Sequence, residues 1–175
     1  MLKNLGMGVA IVTALFAVAF AQEARKSPHE TVSVTLNGKN ISISYGRPYL
    51  RGRKAVGASL VPYGEVWRTG ADEATKLTTE TDLMIGSLRV PKGSYAVFTV
   101  PAKDRWLLVV NKTANQWGAF EYQVSQDLGR TELQLEQLSS PVEQFTIDLK
   151  KQSDKEATLT LSWENTKAST TIRAM

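Results

Sequence analysis

Val32-Ser33-Val34-Thr35-Leu36-Asn37-Gly38-Lys39-Asn40-Ile41-Ser42-Ile43-Ser44-Tyr45 decides the fold class. Apolar and polar residues alternate on both sides of Asn37-Gly38-Lys39-Asn40, so each flank has one face to bury and the centre has turn chemistry. That is a β-hairpin. The same period of two returns at residues 83–90, 95–100, 106–110 and 133–138, and then at Phe145-Ile147-Leu149 and Leu159-Leu161-Trp163. Between these runs lie Pro91-Lys92-Gly93, Pro101-Ala102-Lys103-Asp104, Ser139-Ser140-Pro141 and Ser153-Asp154-Lys155, all rich in residues that favour turns. No long helical period competes. Short strands at regular spacing without intervening helices predict an all-β, antiparallel two-sheet β-sandwich.

Two stretches depart from the alternation, residues 46–75 and 113–130. Both are rich in Gly, Arg, Trp and Tyr and too apolar in places to stay disordered, so they are expected as two long ordered loops. On a rigid strand scaffold such loops are where sites tend to lie.

The N-terminus sets the expected compartment. Lys3 gives a positive n-region, residues 5–20 an apolar h-region, and Ala19-Phe20-Ala21 a small-x-small cleavage pattern, so residues 1–21 read as a signal peptide cut before Gln22. The apolar run is short for a membrane span, which needs about 20 residues. No cysteine follows it to carry a lipid. The chain is therefore expected to be exported, periplasmic or extracellular, with no membrane span after cleavage and residues 22–175 forming a single domain.

A remainder of about 150 residues buries most of its apolar surface without covalent staples. Because the 175-residue sequence has no cysteine, disulfides, thiolate catalysis and Cys-based zinc sites are excluded. The formal charge of +4, less the one charge of Lys3, leaves a +3 that is spread along the chain. Nucleic acid is not an expected partner. Neither a P-loop, a dinucleotide glycine fingerprint, an H-E-x-x-H helix nor an EF-hand loop occurs, so no cofactor is expected.

Ser27-Pro28-His29-Glu30, Tyr45-Gly46-Arg47-Pro48, Gly52-Arg53-Lys54 and the run from Val61-Pro62-Tyr63-Gly64-Glu65-Val66-Trp67-Arg68 through Thr69-Gly70-Ala71-Asp72-Glu73-Ala74-Thr75 form one set of motifs. Gly93-Ser94-Tyr95, Asn111-Lys112, Gln116-Trp117-Gly118, Tyr122, Gln126-Asp127, Arg130 and Pro141-Val142-Glu143-Gln144-Phe145 continue it. Together they resemble a bacterial exported family known as domain of unknown function 2911. The resemblance covers nearly the whole mature chain and implies compartment and fold. It brings no reaction, substrate or catalytic residue.

The chemistry has to come from side chains. Arg47, Arg51, Arg53, Lys54 and Arg68 crowd the first long loop, interleaved with Tyr45, Tyr49, Tyr63 and Trp67. Guanidinium groups fork onto carboxylate, phosphate or sulfate, and aromatic faces stack on sugars or cations. Tyr45, Arg47, Arg53, Trp67, Arg68, Asp72 and Trp117 are accordingly the candidates for binding an anionic or carbohydrate ligand. The structural alternative is that the arginines knit the loop to Glu65, Asp72 or Glu73 while Trp67 plugs the end of the sandwich.

His29 is the only histidine. With Glu30 and Asp72 it forms the candidate catalytic set for a hydrolase or metal-dependent enzyme acting on envelope or extracellular material. The alternative is that Pro28-His29-Glu30 shapes the start of the first strand. A metal would need His29 together with carboxylates such as Glu30, Asp72 or Asp127, and spacing alone assigns none. Paired acids Asp72-Glu73 would need Glu30 or Asp127 across a cleft for glycoside hydrolysis. Trp106 and Trp163 read as core. A third role, docking another protein through Trp67 and Trp117, also remains open; the leading expectation is a non-catalytic exported binding module.

Overall fold

The computed structural model describes residues 27–175. The expected signal peptide and its cleavage point before Gln22 lie outside the described residues. Nine strands follow in chain order: β1 (His29–Leu36), β2 (Lys39–Gly46), β3 (Thr75–Thr79), β4 (Leu83–Ile85), β5 (Leu88–Val90), β6 (Gly93–Pro101), β7 (Trp106–Asn111), β8 (Asp127–Lys151) and β9 (Glu156–Ala174). A 3-10 turn, Val124–Gln126, precedes β8. No helix among the described residues is long and apolar enough to cross a membrane.

The opening hairpin forms as its alternation dictates. Leu36 pairs with Lys39 across Asn37 and Gly38, which take φ of 50° and 71°. Two consecutive left-handed residues are what a two-residue hairpin turn requires, and Asn-Gly is the pair that adopts them at least cost. Val34, Leu36, Ile41, Ile43 and Tyr45 then share the buried face.

All ladders are antiparallel, and they join the strands into one open sheet in the order β1-β2-β3-β6-β7-β8-β9-β4-β5. The all-β, antiparallel class holds, and the ladders run through all nine strands without a break between the two sheets of the expected sandwich. Ser139-Ser140-Pro141 also departs from the expectation. Expected as a break, it lies inside the 25-residue β8, where the β8–β9 register shifts between Gln137 and Val142 and again before Thr146. Proline cannot donate to a ladder, so pairing lapses there while the chain stays extended. Asp127 to Leu133 of β8 pair with β7, and Gln134 to Lys151 pair with β9, so one strand carries the sheet round the corner. Residues 83–90 correct the reading in the opposite direction: they form two short strands around Gly86, at φ 55°.

The sheet curls on itself around a shared core. Tyr45 of β2 reaches across it to β8, donating to Ile147 O at 3.2 Å and accepting from Ile147 N at 2.9 Å. Just beyond β2, Phe145 N donates to Pro48 O and Leu50 N to Glu143 O, each at 2.9 Å. Trp67 pairs with Thr99 of β6 through two backbone bonds, and its ring stacks on Trp163 at 5.9 Å with Phe145 edge-on at 5.0 Å. Trp106 and Trp163 lie in the core as expected, and Trp67 joins them. A smaller apolar cluster on the other face of β6 and β7 packs Phe98 and Val109 under Ala119 and Tyr122. It fastens the second long loop, residues 112–126, to the outer face of the sheet.

Candidate functional site

His29 opens β1, and its strand partner is Gly46, the last residue of β2. By strand alternation His29 faces outward and Glu30 faces the core side, where Glu30 pairs with Arg47. A His29–Glu30 dyad therefore does not form. What reaches His29 comes from the end of the first loop.

Gly46 and Gly70 make that approach possible. A Cβ at Gly70 would lie 2.8 Å from Gly46 O, and one at Gly46 would collide with the Ala71 backbone, so two side-chain-free residues let the chains cross in contact. Ala71 N donates to Gly46 O at 3.2 Å at this crossing. Beyond it the chain turns tightly: Thr75 Oγ1 donates to Thr69 O at 2.7 Å, and Thr69 and Asp72 both sit in the left-handed region, at φ 57° and 63°. Adjacent residues in extended backbone point to opposite sides. The left-handed Asp72 breaks that rule, and aspartate tolerates the conformation better than most side chains. As a result His29 Nε2 lies 3.2 Å from Asp72 Oδ2 and 3.3 Å from Glu73 Oε2.

The second loop is laddered onto the same segment. Gly118 N donates to Asp72 O and Ala74 N to Gln116 O, both at 3.0 Å, and Glu73 bridges Trp117. The two long loops therefore meet beside His29. Between them lies a cleft of about 430 Å³ lined by His29, Ser44, Tyr45, Glu73, Lys76, Asn115, Gln116 and Trp117. Lys76 Nζ donates to Asn115 Oδ1 at 3.0 Å. Trp117 is 55% exposed, whereas Gln116 is buried at 5%, with Nε2 bonded to Asn111 and Thr113 and Oε1 lacking a protein partner.

The arginines divide. Arg47 donates from Nε to Phe145 O at 3.1 Å and from Nη2 to Thr146 Oγ1 at 2.8 Å. Arg53 donates to Leu50 O and Tyr49 O, both at 2.9 Å. Both guanidinium groups tie the loop down, but through backbone carbonyls, Thr146 and, for Arg47, Glu30, and not through the Glu65, Asp72 or Glu73 of the structural alternative. Arg68 differs: its Nε is buried without a partner, and burial lowers its basicity while Asp72 works in the opposite direction. With Arg51, Arg53, Tyr49 and Asp72 it lines a second hollow of about 510 Å³ on the far side of Asp72.

Asp127, weighed above as a metal ligand or second acid, lies in a separate network. Its carboxylate accepts from Asn111 Nδ2 at 3.0 Å, Tyr122 OH at 2.7 Å and Arg130 Nη2 at 2.9 Å. Burial, reinforced by that carboxylate, pushes the Tyr122 phenol up to about 12.

Of the candidates, the structure brings together His29, Asp72 and, through the bridge to Glu73, Trp117; Arg68 lies beyond Asp72. Tyr45 and Trp67 have their side chains in the core. Lys76, Asn115 and Gln116 line the cleft without having been singled out as ligand residues. Gln116 had a signal, its place in the Gln116-Trp117-Gly118 motif.

Residues 27–172 match the sequence model of a family described as a protein of unknown function, DUF2911. The chain belongs to that family. The part of it that DUF2911 describes includes the Gly46–Gly70 crossing, the three groups at His29 and both long loops. No curated protein and no solved structure matches the chain.

Proposed function

We propose that the protein is an exported binding module that takes a sugar ligand, neutral or acidic, in the cleft between its two long loops. The observation that carries the reading is Trp117, an indole left 55% exposed at a cleft of about 430 Å³ whose other walls combine Glu73, Lys76 and Asn115 with the apolar Ala74 and Ala114. Exposing a large aromatic face costs hydrophobic free energy, and a ligand that stacks on it recovers that energy. Asn115 and Lys76 offer donors, Glu73 and Asn115 acceptors, within the same walls. A ring with an apolar face and a rim of hydroxyls fits that combination. An acidic substituent gains further from Lys76.

Export rests on the Lys3 n-region, the apolar run and Ala19-Phe20-Ala21. N-terminal sequencing of protein expressed with its own leader should give Gln22 as the first residue. A start at Met1 would overturn export.

Titration of a panel of neutral and acidic oligosaccharides into isotopically labelled protein tests the site. A ligand should shift the resonances of Asn115, Lys76 and the Trp117 indole. Shifts confined to Arg51, Arg53 and Arg68 would move the site to the other hollow, and a panel that shifts nothing would remove the sugar reading.

A further inference from the structure

We propose that His29, Asp72 and Glu73 form a site for one divalent transition-metal ion of the zinc class. The three donor atoms, one imidazole nitrogen and one oxygen from each carboxylate, all lie within 4.8 Å of one another. For an ion bonded tetrahedrally at about 2.0–2.1 Å, adjacent donors are separated by about 3.3–3.4 Å. His29 Nε2 stands 3.2 Å from Asp72 Oδ2 and 3.3 Å from Glu73 Oε2, so two edges of the tetrahedron are already near length.

The donor set selects the class of ion. An imidazole beside two carboxylates suits zinc and its first-row neighbours, whereas calcium and magnesium sites are built from oxygen alone. The donors also come from distant parts of the chain, 43 residues apart for His29 and Asp72, and are fixed by backbone. β1 holds His29. The Gly46–Gly70 crossing and the bond from Gly118 N to Asp72 O hold the acids. Three protein donors leave a fourth tetrahedral position vacant, the arrangement of a zinc site that admits an outside ligand. His29 and Glu73 both line the cleft, so two of the three donors stand at its wall. This site stands apart from the sugar reading, because its test uses metal alone.

The competing account is a histidinium held between two carboxylates with no ion involved. Protein purified without a polyhistidine tag and stripped with chelator should take up one Zn²⁺ per chain in equilibrium dialysis. His29 is the only histidine, so its two ring nitrogens are unique reporters. On addition of Zn²⁺ the Nε2 resonance should move to a metal-bound position while Nδ1 stays unligated. Asp72→Asn, which keeps a residue tolerant of the left-handed backbone, and Glu73→Gln should each weaken uptake by about 10-fold or more. Circular dichroism of each variant checks that it is folded. The proposal is overturned if less than stoichiometric Zn²⁺ is retained, if the ion binds without moving His29 Nε2, or if folded Asp72→Asn and Glu73→Gln proteins bind like the parent. The resonance test uses the unmutated chain and decides the matter even where a variant does not fold.

Discussion

Gly46 and Gly70 cross backbone against backbone, so closely that a Cβ on Gly70 would lie 2.8 Å from Gly46 O. Everything proposed for His29 depends on this crossing, because it carries Asp72 and Glu73 from the end of a long loop to the first residue of β1. Gly46→Ala has no flexible neighbour to displace, since its Cβ would meet the Ala71 main chain. The expected cost is that of overpacking a rigid contact, about 1–3 kcal/mol. Denaturant unfolding of Gly46→Ala measures it, and a cost below about 0.5 kcal/mol would show that the crossing yields readily.

Tyr45 makes a second long connection, from β2 to the backbone of Ile147 in β8. Tyr45→Phe keeps the ring and leaves a buried amide and carbonyl without that partner. The expected loss is about 1–3 kcal/mol, with little change in the strand signal of circular dichroism. An unchanged unfolding midpoint would mean that water or another group takes the place of the hydroxyl.

Much of this architecture was legible in the sequence because strands write their burial in a period of two. Val32 to Tyr45 gave the hairpin, its turn and its buried face directly. Ser139-Ser140-Pro141 misled, since turn residues there interrupt pairing without turning the chain. The site was less legible. Arg47 and Arg53 carry the same composition whether they face a ligand or donate to carbonyls, Arg47 to Phe145 of β8 and Arg53 to its own loop. Trp67 lies in a polar loop and reads as a ligand platform until its backbone is found paired with Thr99. The left-handed turn at Asp72 brings two adjacent acids to one imidazole, and a single sequence carries no signature for it. The convergence of the two loops is a property of the whole curled sheet and of nothing shorter.

Alkaline pH should destabilise the protein through its tyrosines. Burial raises the phenols of Tyr45 and Tyr95, and burial with the Asp127 carboxylate pushes Tyr122 up to about 12. In the unfolded chain a phenol ionises near pH ~10. The stabilisation is therefore fully present below about pH 10 and is lost as pH rises towards about 12, because the unfolded state gives up its protons first. Thermal unfolding followed from pH 8 to 12 should show Tm falling in that window. Tyr122→Phe should show a shallower fall, and an identical slope would exclude Tyr122 as a contributor.

The central claim, that the cleft beside Trp117 is the ligand site, is tested most directly by calorimetric titration of a sugar ligand into the parent protein and Trp117→Ala. An exposed indole contributes little to the fold, so unfolding free energy should change by no more than about 0.5 kcal/mol. Loss of the stacking face should weaken binding by about 1–3 kcal/mol, roughly 5- to 150-fold in Kd. Unaltered affinity in the folded Trp117→Ala protein would contradict the account.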